Sequence, residues 1–192
     1  MRLSDEPRYL RLKKTLLFLY TALIIYFMFF AFHRTGRFQY RHFSWRFSSF
    51  PLWFPRQLNR FAISSWIFMM GNLLAFAPFG VLLPDCYKSA LGRYRKSLFV
   101  FVMFITLLET IQYATKLGIF DVEDIVVNAI GYSIGFWAWR IADLIDDKVA
   151  KALTCVVLIG VFTLLSICFA EISNAYIFTD PYELLVNSPP VL

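Results

Sequence analysis

Charge is what this sequence has least of. Only 17% of its 192 residues are Asp, Glu, Lys or Arg, against about 25% in a soluble domain. Acids (13) are scarcer than bases (19). No acidic residue falls between positions 33 and 61, and no charged residue between 152 and 170. Histidine is almost missing: His33 and His42 both lie in an aromatic segment, where they suit an interface better than catalysis or metal ligation. The absence of HExxH removes the zincin reading. Cys86, Cys155 and Cys168 form neither a CxxC pair nor a disulfide framework, which leaves buried free thiols. Alternating segments of the kind that build a membrane β-barrel do not recur.

What fills the space is apolar: 59% of the chain is hydrophobic, with 22 Phe, 10 Tyr and 5 Trp. A spanning helix needs roughly 17–25 largely apolar residues, and backbone groups in lipid must be satisfied within the segment. The runs predict spans near 15–32, 63–83, 97–114, 124–139 and 152–170. The fold class is therefore all-α, a polytopic membrane bundle of five transmembrane helices. The divisions are a basic N-terminus (1–14), a membrane core (15–140), a loop with an additional helix (141–170) and an acidic tail (171–192). The first run is longer than a signal-peptide core and lacks a small-x-small site after it, so it reads as an uncleaved anchor. Pro78 withholds an amide from Leu74 and is expected to kink or break the second span.

The net charge of +6 follows from bases flanking spans, so nucleic acid is not a partner this chain calls for. With the N-terminus cytoplasmic, the inner segments hold 12 Lys and Arg and the outer ones 7, which favours that orientation. The loop over 33–61 is the exception. Its six arginines, Arg56 and Arg60 among them, alternate with aromatics. It suits an aromatic belt with arginines on headgroups, or a cradle for an anionic headgroup or pyrophosphate. Membrane lipids, and beyond them a lipid-linked precursor of the cell envelope, are the expected partners.

Polar residues at membrane depth are functional-site candidates by default, and most of them fall between Glu109 and Gly135. Glu109 and Gln112, three apart, share a face near the end of the third span. Asp124, Asn128, Gly131 and Gly135 form one stripe on the fourth. Its glycine half predicts the close approach of another helix, which the second span would supply together with Asn72. A short connection makes spans three and four antiparallel neighbours. Glu109, Gln112, Asp124 and Asn128 are then expected to converge in a pocket at the outer face, with Asn72 beside it. Asn72 serves equally as glue between helices or as part of the site. Asp121 opens the fourth span either as a cap or as a ligand group.

NLLAFAPFGVLLP (72–84), followed by Glu109-x-x-Gln112, FDVED (120–124) and Asn128-x-x-Gly131-x-x-x-Gly135, resembles the VanZ-like membrane proteins over about 15–140. The positions that match are Asn72, Pro78, Gly80, Glu109, Gln112, Asp121, Asp124, Asn128 and Gly131. Many relatives carry an arginine just before the Phe-Asp pair; the nearest base here is Lys116. The resemblance implies a four-helix core in a bacterial inner or plasma membrane, the fifth helix being an extension. It also implies a link to glycopeptide susceptibility, through the founding member's association with teicoplanin resistance.

The residues themselves leave three readings. One is a non-enzymatic protein that binds a lipid-linked or amphiphilic envelope ligand through Asn72, Glu109, Gln112, Asp121, Asp124, Asn128, Arg56 and Arg60. Another is an intramembrane enzyme in which a desolvated Glu109 serves as general acid or base. The third is a scaffold whose polar cluster only fixes packing. No cofactor is called for, although three nearby acids would suit Mg²⁺.

Overall fold

The computed structural model describes residues 6–30, 43–44, 51–52, 54, 59–117 and 120–176. Within them lie α1 (Glu6–Phe30), β1 (Phe43–Ser44), α2 (Arg60–Cys86), α3 (Lys88–Leu91), α4 (Tyr94–Thr115), β2 (Phe120–Asp121), α5 (Val122–Ala142) and α6 (Lys148–Tyr176). Five of these helices are long and apolar enough to cross a membrane. They are the five expected runs, extended at both ends of the bundle.

Local chemistry accounts for the extensions. The Asn59 side chain accepts from the Ala62 amide at 2.8 Å and starts α2 before the apolar run begins. Asp147 does the same for α6, accepting from Ala150 at 2.7 Å. In α1 the basic segment is helical, and Lys13 reaches Asp85 at the end of α2, 2.6 Å away. α4 ends on Lys116 at φ 59, with the Leu117 amide on Gln112 O (3.0 Å) and the Lys116 amide on Tyr113 O (3.3 Å). That is the Schellman ending, with lysine where glycine is usual. The basic turn after α2 contains one further helical turn, α3.

The break expected at Pro78 does not occur, and α2 is continuous through Pro78 and Pro84. A proline is tolerated in a membrane helix where neighbours attend to the freed backbone. Here the Tyr20 hydroxyl from α1 donates to Ala75 O at 2.7 Å, beside the Leu74 carbonyl that Pro78 leaves without its amide.

Pairs of contacts give the directions. Lys13–Asp85 and Tyr20–Ala75 make α1 antiparallel to α2. Cys155 beside Ala138 and Lys151 beside Asp143 make α6 antiparallel to α5. Helices α2 and α5 run parallel: Asn72 meets Asp124, Gly131 lies on Leu73, Gly135 on Ala77, and Trp139 on Asp85. This pair is the centre of the bundle. A methyl group at Gly80, Gly131 or Gly135 would overlap backbone atoms of the facing helix, so the two backbones touch as the glycine stripe predicts. Around them Phe76, Phe79, Phe101, Tyr132, Phe136 and Trp139 form an aromatic core, with Phe101 stacked on Tyr132 at 4.3 Å. Ser97 from α4 and Tyr132 from α5 share a buried hydrogen bond inside it.

The bundle therefore has two ends. One gathers the starts of α1, α4 and α6 with the ends of α2 and α5, and is called the basic end below. The opposite end gathers the remaining termini, and the polar stretch lies there.

Candidate functional site

The site is built where α4 finishes and α5 begins. Glu109 and Gln112 lie on the inward face of the last turns of α4, 3% and 2% exposed. Their spacing puts them one above the other, as the sequence predicts. Gln112 ties α4 to the end of α1, since its Nε2 donates to Met28 O at 2.7 Å. Glu109 is also partnered. A carboxyl this deep is expected to be partnered, because an isolated buried charge is costly.

On α5 the acids divide. Asp121 is the N-cap, accepting from the Glu123 amide at 2.9 Å, so its carboxylate is engaged in starting the helix. Its backbone pairs in parallel with Ser44, and Phe120 with Phe43. Phe43 and Ser44 are thereby held against the start of α5. Asp124 accepts from Asn72 Nδ2 at 3.3 Å, which links the two central helices above their glycine contact. Asn128, one turn deeper, is 2% exposed, and its Oδ1 has no hydrogen-bond partner. An orphaned buried carbonyl costs about 1–3 kcal/mol.

Asn72, Glu109, Gln112, Asp121, Asp124 and Asn128 thus occupy one end of the bundle, on the three helices expected to carry them. Arg60 is exposed at the start of α2, and Arg56 lies outside the described residues. Among the described residues no three His, Cys, Asp or Glu side chains gather as a cation site would need.

Several features have no simple sequence signal. Leu52, inside the long loop, is completely buried against Met70, Leu73, Val127, Ile134 and Ala170, well within the bundle. It adopts φ 82, a conformation that costs a leucine roughly 1–3 kcal/mol and persists only where its surroundings impose it. Its amide donates to the Met69 sulfur at 3.1 Å. The adjacent Pro51 is the only hint in the sequence. The expectation that no GxSxG string occurs is also corrected: Gly131-Tyr132-Ser133-Ile134-Gly135 spells one. A nucleophile elbow needs a strand-turn-helix context. Ser133 instead sits mid-helix, donating to Ala129 O at 2.7 Å, with the Tyr94 hydroxyl 2.9 Å away.

Comparison with known proteins agrees with this geometry. The VanZ/LLP1 family model matches residues 17–143, α1 through α5, and leaves α6 outside. "Protein VanZ" of Enterococcus faecium is 36% identical over 67 residues, which is 35% of this chain and 40% of that protein. The chain thus aligns with under half the length of this curated relative. No solved structure matches. This chain belongs to the VanZ/LLP1 family, and with its five spanning helices it is a multi-pass membrane protein.

Proposed function

We propose that this VanZ/LLP1 family member binds a lipid-linked or amphiphilic ligand of the bacterial envelope at the polar end of its bundle, without catalysing a reaction on it. The observation that carries the reading is Asn128. Its Oδ1 is a buried acceptor with no partner, one helical turn below Asp124 and at the same end as the buried carboxyl of Glu109. Buried polar groups are ordinarily satisfied. A ligand that brings a hydroxyl or amide donor would supply what Asn128 lacks. Phe43 and Ser44 pair with Phe120 and Asp121 at this end, and arginine forks, which the same stretch of sequence supplies, suit a phosphate or pyrophosphate on the same ligand.

In this reading the N-terminus is cytoplasmic in an inner or plasma membrane, and the polar end faces outward. The excess of Lys and Arg at the basic end supports it. Envelope precursors and glycopeptides meet at that outer surface, which connects the site to drug susceptibility.

Two measurements test the proposal together. Purified protein is titrated with a polyprenyl pyrophosphate while its thermal unfolding is followed, and strains expressing matched membrane levels are scored for glycopeptide susceptibility. Glu109→Gln, which keeps shape and hydrogen-bonding capacity, is expected to fold normally and to lose both responses. If Glu109→Gln behaves as wild type in both, while Asn128→Leu changes only the unfolding temperature, the cluster is a packing device. Turnover of the pyrophosphate by the wild-type protein would replace binding with catalysis.

A further inference from the structure

One opening on the bundle lies away from the polar cluster. It is a groove of about 490 Å³ between α4 and α6, floored by α5. Ile130, Ser133, Ile134 and Trp137 form the floor, with Tyr94 on one wall and Phe162, Leu165, Ser166 and Phe169 on the other. These α5 residues lie on a different side of the helix from Asp124, Asn128 and Gly131, so the groove is separate from the site proposed above.

Its length follows from the helix register. The lining runs from Ile130 to Trp137 on α5 and from Phe162 to Phe169 on α6, so at about 1.5 Å per residue the groove extends roughly 10 Å, about a third of the ~30 Å hydrocarbon core. Leu52 closes it at the far end. At the near end Tyr94 and Trp137 pack at 5.5 Å, the amphipathic aromatics expected at headgroup depth.

The walls decide what fits. Membrane helices dock through small residues that let backbones approach. Tyr94, Trp137, Phe162, Leu165 and Phe169 are bulky, and no glycine is among the described residues that line the groove. A slender hydrocarbon chain is not excluded in this way. The mouth selects the headgroup. Arg140 follows Trp137 and Ser133 at helical spacing and is exposed, and Arg93 adjoins Tyr94. Neither makes an ion pair among the described residues. The nearby acids are mostly engaged: Asp143 with Lys88 and Lys151, Asp85 with Lys13, and Asp147 with the Ala150 amide. Asp146 is exposed on the α5–α6 turn.

We propose that the groove between α4 and α6 holds an acyl chain of an anionic phospholipid from the leaflet at the basic end, with its phosphate against Arg140. The lipid is then a structural partner of α6, the helix outside the family match.

Native mass spectrometry of the full chain in detergent tests this with phosphatidylglycerol and phosphatidylcholine of identical chains. Wild type should retain phosphatidylglycerol in preference. Arg140→Gln should lower that affinity about fivefold, the effect of one headgroup arginine, and leave phosphatidylcholine unchanged. Ser166→Phe, which fills the groove, should lower both. Equal retention of the two lipids by wild type, or unchanged retention by Ser166→Phe, overturns the proposal. So does a dimer that Ser166→Phe abolishes, since the occupant would then be a second copy of the chain. Should Ser166→Phe fail to fold, quenching decides in its place. Phosphatidylglycerol with brominated chains must quench wild type more than it quenches Trp137→Phe, and equal quenching refutes the site.

Discussion

Gly135→Ala adds one methyl group and should destabilise the bundle by about 2 kcal/mol, although alanine is the better helix former. The added carbon would lie 2.8 Å from the carbonyl carbon and 3.1 Å from the Cα of Ala77, and closer still to its oxygen. These are backbone atoms of a neighbouring helix and cannot rotate away. Relief requires α2 and α5 to separate, which also loosens Gly131 on Leu73 and Gly80 on Tyr132. Overpacking of this kind costs roughly 1–3 kcal/mol, and a clash with backbone belongs near the upper limit. Replacing glycine by alanine inside a helix returns up to about 1 kcal/mol, which leaves the net figure. Gly160 and Gly71 provide the internal control, since a methyl group at either would meet nothing within 4 Å. Gly160→Ala and Gly71→Ala should therefore be neutral or stabilising by up to about 1 kcal/mol. Reversible unfolding in mixed micelles reads all three variants. If Gly135→Ala is as stable as Gly160→Ala, the two helices are not in backbone contact and the central pair has been misplaced.

Other substitutions follow from single contacts. Lys116→Gly relieves a left-handed residue at the end of α4 and should raise stability by about 1 kcal/mol, measured in the same unfolding assay. Asp121→Ala removes the cap of α5 and should cost about 1 kcal/mol, whereas Asp121→Asn should cost much less. At the basic end, burial raises the Asp143 pKa, but hydrogen bonds and charge from Lys151 and Lys88 outweigh it and hold the carboxyl below its usual value. Its stabilisation should be complete above about pH 4, the unfolded value, and lost as pH falls through the lower folded value. Asp143→Asn should flatten that acid limb in a pH series of melting temperatures.

The five helices were legible because each is a long apolar run bounded by charge, a signal that lipid enforces and that tertiary packing does not override. The parallel α2–α5 contact was legible in part, since glycines at helical spacing announce a close approach and Asn72 suggested the partner. Of the kink or break expected at Pro78, the break is absent because α2 runs on through it, and the Tyr20 hydroxyl on the neighbouring Ala75 carbonyl is a contact between helices that no local pattern reveals. Within the cluster, spacing identified the faces of Glu109, Gln112, Asp124 and Asn128, but not the division of labour among them. Gln112 turned to a carbonyl of α1 and Asp121 to its own helix. Leu52 was invisible because a buried leucine at positive φ is a property of its surroundings, not of its neighbours in sequence.

The central pair also determines where a ligand could be held. A binding site needs side chains fixed to within about 0.5 Å, and sites on rigid elements meet that demand better than sites on loops. Asn72, Asp124 and Asn128 project from the two helices whose backbones touch along Gly80, Gly131 and Gly135. At the basic end the same two helices are joined through Asp85 and Trp139, and each is tied to a further helix, α2 to α1 by Lys13 and α5 to α6 by Lys151. Their separation is therefore set over most of their length before the polar end is reached. The helix that carries Asn128 cannot shift toward a partner without drawing the glycine contact apart, which leaves side-chain rotation alone to its orphaned acceptor. Asn128 Oδ1 thus stays unsatisfied at a cost, and a group that arrives with a donor recovers that cost as binding energy.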